Sequence, residues 1–189
     1  MSENGLPDPE EAFGEAVKKA TKPMSADELR ARLIRNFDDA ALTRETRAPL
    51  YDSHGARLAP GTAARKLGAS VDVVAPGMRS CPYHLHHAQE EMFIVLEGSG
   101  TLRVAGEMLA LRTGDVVFIP PGPEYPHQII NTSQMPLKYL SVSTREQPEV
   151  VEYPDSGKYL ASARVQGQDQ GFARIHRADS DLDYWDGEP

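Results

Sequence analysis

The chain has one cysteine and one tryptophan in 189 residues, and no apolar run that approaches the ~20 residues a membrane helix needs. Cys81 has no second cysteine with which to form an internal disulfide, which fits a reducing compartment. The start of the chain, Met1 to Gly5, has neither a basic segment nor an apolar stretch of the kind that opens a secretory signal, so the expected location is the cytoplasm. Positive charge is also scarce. Twenty Lys and Arg against 28 Asp and Glu leave a net charge of -8, which repels phosphate backbones. No cluster of Lys and Arg interleaved with aromatics offers a nucleic-acid face. Neither nucleic acid nor a membrane is an expected partner, and a small-molecule ligand is.

What remains is ordinary for a folded domain, with 40% hydrophobic and 25% charged residues, and a length that suits one domain with an added arm or tail. Residues 1–45 read as a helical N-terminal arm. Asp8-Pro9-Glu10-Glu11 offers an N-cap and a proline at the first helical position, followed by an apolar side of Ala12, Phe13, Ala16, Val17 and Ala20. Ser25 and Glu28 form a capping box for a second helix, with Met24 placed to staple onto Leu29 and a narrow stripe of Leu29, Leu33 and Phe37 to bury. From about Val71 the chain changes to short runs rich in Val, Ile, Leu, Phe and Tyr separated by Gly and Pro. This predicts strands near 71–75, 82–87, 91–97, 100–105, 107–111, 115–119, 127–131 and 137–143, with tight turns at Gly98-Ser99-Gly100 and Ala105-Gly106. So many short strands in so few residues suggest an all-β jelly roll or small barrel over residues 46–145. Residues 146–189 read as an acidic C-terminal extension that wraps the barrel, because Tyr184 and Trp185 would be costly to leave in water.

The stretch that carries chemistry is Tyr83-His84-Leu85-His86-His87-Ala88-Gln89-Glu90-Glu91. Side chains alternate along a strand, so His84 and His86 point to one face and His87 to the other. After a short turn Glu91 opens the next strand and can bring a carboxylate to the same space. His127 follows a proline and glycine turn at Pro120-Pro121-Gly122. Three imidazoles and a carboxylate suit Fe, Mn, Ni, Co or Zn, whereas Mg and Ca prefer oxygen donors throughout.

These two segments resemble the paired signature motifs of the cupin superfamily. The first motif is Gly, five residues, His-x-His, three or four residues, Glu, six residues, Gly. Here six residues separate Gly77 from His84, four separate His86 from Glu91, and six separate Glu91 from Gly98. The second motif is Gly, five residues, Pro-x-Gly, two residues, His, three residues, Asn. Gly114, Pro120, Gly122 and Asn131 match it, with Pro123-Glu124-Tyr125-Pro126 standing where two residues are usual before His127. The resemblance covers roughly residues 65–145 and a single motif pair, as in the small single-barrel cupins. It implies a cupin-type jelly roll holding one divalent transition metal (Fe, Mn, Ni or Zn) through His84, His86, Glu91 and His127. The distance to Gly98 selects Glu91 over Glu90 as the ligand.

Proteins of this family include dioxygenases, decarboxylases, isomerases and lyases. The expected function is therefore a metal-dependent enzyme acting on a small polar or carboxylate-bearing metabolite, with a non-catalytic small-molecule binding or sensing protein as the alternative. Phe93, Tyr139 and Arg79 are candidate substrate contacts. Cys81 is a poor ligand candidate because Pro82 intervenes and its strand parity is wrong, while His54 and His176 read as ordinary surface or core residues. Barrels that resemble this one usually pair, and the stripe of Leu29, Leu33 and Phe37 predicts a homodimer.

Overall fold

A computed structural model describes residues 23–163, 171–177 and 181–189. The helix expected after Asp8 lies outside the described residues. Contacts divide the chain into one unit that ends at Ile34 and a second that runs from Arg35 onward. In the first unit a helix spans Ala26–Leu33 and opens with the expected capping box. The Ser25 hydroxyl accepts from the Glu28 N–H at 3.1 Å, and the Glu28 carboxylate accepts from the Ser25 N–H at 2.7 Å. None of the helix residues is buried.

The expected stripe needs correction, because the helix ends at Leu33 and Ile34 is already extended. Beyond it Asn36 Oδ1 accepts the Asp38 N–H at 3.0 Å, a local side-chain turn that competes with continued helix. Phe37 therefore does not share a helical face with Leu29 and Leu33.

The second unit is built of antiparallel strands: β1 (Thr43–Arg47), β2 (Tyr51–Arg57), β3 (Leu67–Val74), β4 (Leu85–His86), β5 (Glu91–Glu97), β6 (Ser99–Val104), β7 (Glu107–Arg112), β8 (Val116–Ile119), β9 (His127–Ile130), β10 (Leu137–Thr144), β11 (Glu149–Tyr153), β12 (Lys158–Ala163) and β13 (Phe172–Arg177). They form a six-stranded sheet in the order β1-β2-β3-β10-β5-β8, a four-stranded sheet β13-β12-β11-β4 and a three-stranded sheet β7-β6-β9. This is a jelly-roll arrangement. The strands expected between 71 and 143 are β3 to β10, and the one carrying the histidines is shorter than expected.

Their inward residues make one apolar core of Val74, Phe93, Val95, Leu102, Leu111, Ile119, Ile129, Leu137 and Tyr139. Burying these side chains is the main force holding the sheets together. Tight backbone contacts fix the register at one end. Gly98 has φ +84°, and a Cβ there would lie 2.5 Å from the Pro136 carbonyl oxygen, so only glycine fits. Asn131, fully buried, donates to the carbonyls of Val74 and Met135 at 2.8 Å each and so pins the turn between β9 and β10.

Part of the C-terminal extension builds onto this frame. β11 pairs with β4, setting Val151 opposite His86 and Glu152 opposite Leu85, and β12 and β13 continue the sheet outward. Its last residues depart from expectation. Tyr184 and Trp185 are 83% and 70% exposed, and their rings meet each other edge to face at 4.8 Å between centroids.

Candidate metal centre

Strand pairing brings the expected ligands together. His84 lies opposite His127 in a bridge closed by two backbone hydrogen bonds of 2.7 and 3.1 Å. His86 follows on β4, and Glu91 opens β5 after the turn. The three imidazoles each turn Nε2 toward the Glu91 carboxylate. Glu91 Oε2 lies 2.8 Å from His127 Nε2, 3.4 Å from His86 Nε2 and 3.8 Å from His84 Nε2. The donor atoms of His84, His86 and Glu91 are all within 4.8 Å of one another. His127, 1% exposed, is the most enclosed of the set and reaches it through the carboxylate. The longer loop before it is accommodated because His127 Nδ1 lies 3.1 Å from the carbonyl oxygen of Tyr125, inside that same loop.

The far side of each ring is also arranged. His84 Nδ1 is 2.8 Å from the Pro82 carbonyl oxygen, an acceptor that favours the proton on Nδ1 and leaves the Nε2 lone pair facing inward. His127 differs, because both of its ring nitrogens face acceptors: Nδ1 the Tyr125 carbonyl oxygen at 3.1 Å and Nε2 the Glu91 carboxylate at 2.8 Å. Behind His86 stands Glu149, whose Oε2 is 3.5 Å from His86 Nδ1. Glu149 is 2% exposed and accepts the N–H groups of His87, Ala88 and Gln89 at 3.1, 3.2 and 2.8 Å. One carboxylate thus shapes the turn between β4 and β5 and backs a histidine of the cluster.

Protonation states suit metal ligation. Burial, with help from the neighbouring His127, lowers His84 to about 4, so its ring is neutral near pH 7. Burial alone would raise Glu91, but the hydrogen bond from His127 and the charges of the surrounding imidazoles bring it below the usual range, so it is ionised. Two donors held at right angles on a metal with bonds of ~2.1 Å stand ~3 Å apart. The Nε2 to Oε2 separations of 2.8 to 3.8 Å bracket that spacing. The residues present fit a divalent transition metal.

Other candidates fall where strand parity puts them, or deeper. His87 turns away and pairs with Glu152 at 2.6 Å, and Glu90 is exposed. Burial pushes the Cys81 thiol up to about 12, and its sulfur is not among the clustered donor atoms. Phe93 lies against His127 with centroids 5.7 Å apart, and Tyr139 stands behind Phe93, edge to face at 5.9 Å, with its hydroxyl 2.6 Å from Ser80 Oγ. Both belong to the core beneath the cluster. Arg79 is partly buried, and its backbone forms bridges to Tyr51 and Ile130 on neighbouring chain segments.

Two site residues carry no signal in the sequence. Glu149 is one, since Gln147-Pro148-Glu149 reads as a loop in an acidic tail. The other is Tyr153, whose ring stacks over His84 at 6.3 Å between centroids and whose phenol burial holds protonated. Only the pairing of β11 with β4 brings them in.

Comparison with known proteins agrees with this geometry. The cupin domain family matches residues 70–143. An uncharacterized protein of Methanocaldococcus jannaschii is 36% identical over 73 residues, which are 36% of this chain, and the chain spans 57% of that relative's length. A crystal structure from Acidithiobacillus ferrooxidans, described as a candidate sugar phosphate isomerase, is 25% identical with a TM-score of 0.65 and covers 85% of this chain and 94% of its own. A sugar phosphate isomerase of the cupin superfamily from Silicibacter pomeroyi shares the fold at 22% identity and a TM-score of 0.64, over 77% of this chain and 92% of its own. With both motifs placed on adjoining strands of a jelly roll and the family matched across them, residues 70–143 are a cupin domain.

Proposed function

We propose that this cupin-domain protein is a metal-dependent enzyme for a small polar metabolite, with His84, His86, Glu91 and His127 as the ligands. The observation that carries the reading is the double ordering of the cluster. Three Nε2 atoms face one carboxylate oxygen, carbonyl oxygens stand within hydrogen-bond reach behind His84 and His127, and the Glu149 carboxylate lies 3.5 Å behind a His86 Nδ1 that makes no hydrogen bond. Buried imidazoles without a charge to serve would not need that backing, and metal-ligating histidines characteristically have it.

The donor set favours Fe, Mn, Ni or Zn. Among dioxygenase, decarboxylase, isomerase and lyase chemistries, isomerisation of a phosphorylated sugar is favoured by the likeness to the A. ferrooxidans protein, which extends well beyond residues 70–143. A bound divalent ion would supply polarisation of adjacent carbonyl and hydroxyl oxygens. The chain's own part is to hold the site. Glu149 sets a carboxylate 3.5 Å behind the His86 ring, and Phe93 and Tyr139 close the floor beneath His127. The Tyr153 ring covers His84 from β11. We also propose a homodimer, since Leu29 and Leu33 on the N-terminal helix are 38% and 63% exposed.

Elemental analysis of untagged protein should find near-stoichiometric metal that is absent from His84→Ala. NMR of the metal-loaded protein with aldose phosphates should then show interconversion. A wild type that fails to take up any divalent metal on reconstitution would instead favour a non-catalytic binding protein.

A further inference from the structure

Beside the histidine cluster the inner face of the six-stranded sheet opens into a cavity of about 580 Å³. Its floor is made of small residues on paired strands. Ser141 and Ser143 of β10 face Ser70 and Gly68 of β3, and Arg57 of β2 stands opposite Ser70. Residues directly opposite in an antiparallel pair share a face, so Arg57 projects over the same floor. Arg65 and Arg145 complete the lining, with Gln89 and Gln147. A Cβ on Gly68 would lie 3.7 Å from Cγ and Cδ of Arg145, so the bare glycine leaves room for that arginine to lie across the floor.

The charge of this lining runs against the whole molecule. A chain with 28 acidic and 20 basic residues lines this cavity with three arginines and no Asp or Glu. Several cations elsewhere find carboxylates: Arg44 pairs with Asp52, Arg103 with Asp155 and Lys138 with Asp38. Among the described residues Arg57, Arg65 and Arg145 have no ion-pair partner. A concave surface with three guanidinium groups and several hydroxyl and amide groups is matched to a compact polyanion, and the planar fork of arginine suits phosphate oxygens in particular.

Its position gives the site a use. Ser143, in the floor, is the direct cross-strand neighbour of Glu91, and Ser141 is that of Phe93. Gln89, in the wall, donates its N–H to the same Glu149 carboxylate that backs His86. Cavity and cluster therefore share one wall, about one strand spacing of ~4.8 Å apart.

We infer that Arg57, Arg65 and Arg145 form a phosphate-binding pocket that holds the phosphoryl group of a small phosphorylated metabolite, with its carbon end directed at the His84, His86 and Glu91 cluster. The orientation rests on the metal-enzyme reading above; the pocket itself does not.

Isothermal titration of the full-length protein with inorganic phosphate, ribose 5-phosphate, ribose and citrate tests it. Both phosphates should bind and ribose should not. Combined Arg57→Ala, Arg65→Ala and Arg145→Ala should weaken phosphate binding by about tenfold or more, which is the loss of one or more charge-assisted hydrogen bonds. These arginines are exposed, so the fold should be kept, as circular dichroism would show. Arg112→Ala, an exposed arginine elsewhere, should change nothing. His84→Ala should retain phosphate binding, so a failed metal site and a failed pocket give different results. The pocket is overturned if the triple variant binds phosphate like wild type, if Arg112→Ala weakens it equally, or if citrate binds more tightly than either phosphate. Phosphate binding through these arginines without conversion of any aldose phosphate would keep the pocket and remove the isomerase reading.

Discussion

The inner face of β10 has two halves that do opposite work. Toward its start Leu137 and Tyr139 sit opposite Val74 and Asp72 of β3, with Tyr139 also opposite Val95 of β5, and the side chains are almost wholly apolar and buried. Toward its end Ser141 and Ser143 sit opposite Ser70 and Gly68 on one side and Phe93 and Glu91 on the other. Alternation along the strand continues unchanged through both halves, but the inward residues switch from large and apolar to small and polar. The first half supplies the burial that holds the barrel, and the second opens it to ligands. Such a division keeps changes at the site from being changes in the core.

The sharpest way to break the comparison is to remove a ligand. His84→Ala or Glu91→Ala should abolish stoichiometric metal uptake, measured by elemental analysis, while His87→Ala keeps it, since His87 faces outward toward Glu152. Equal loss in all three would mean that the two faces of this segment are not functionally distinct.

Next comes the core half. Leu137 is fully buried, and Leu137→Ala should cost about 2–5 kcal/mol in urea denaturation. Ser141→Ala, in the polar half, should stay within about 0.5 kcal/mol. Comparable losses would show that the serines carry packing as well.

A smaller effect isolates the backing of the cluster. Glu149→Gln keeps one acceptor oxygen for the turn N–H groups, sets an NH2 against the remaining N–H and removes the charge behind His86. Metal affinity in a chelator competition should fall by about 10- to 100-fold, beside a loss of about 1–3 kcal/mol in urea denaturation from the unpaired turn N–H. An unchanged affinity would make Glu149 a turn residue only.

The apolar half and the ligands were legible in the sequence because both follow strand periodicity. Val and Leu runs mark β3, β5 and β10, and the one-residue gap between His84 and His86 puts both rings on one face. The rest was hidden for stated physical reasons. β1 reads Thr-Arg-Glu-Thr-Arg and is exposed throughout, so no alternation of apolar and polar residues reveals it. β11 follows a proline in an acidic stretch, and its contribution of Glu149 and Tyr153 depends on pairing with β4, more than 60 residues away. The arginine cavity joins Arg57, Arg65 and Arg145 from three chain segments, and no local spacing connects them. Phe37 differs from expectation because the spacing of Leu29, Leu33 and Phe37 is helical while the backbone is already extended at Ile34.

The smallest expected effect lies at the border of the two halves, where Asp72 stands opposite the buried Tyr139. Burial raises the carboxyl above its ordinary range, against the hydrogen bond that Ser70 Oγ donates to Oδ2 at 2.9 Å, and Glu45 adds to the rise. A carboxyl whose folded value is raised holds its proton more tightly in the folded state. Stability then falls as pH rises from the ordinary carboxyl value through the raised one, and stays lower above it. Asp72→Asn keeps an acceptor for Ser70 and removes the charge. Urea denaturation across pH should give curves for the two proteins that draw together in acid and separate above the carboxyl range, with the Asn variant the more stable at pH 7. A less stable variant at pH 7 would mean that the folded protein uses the ionised carboxylate, and the border would then belong to the polar half, with the cationic cavity beside it supplying the compensating charge.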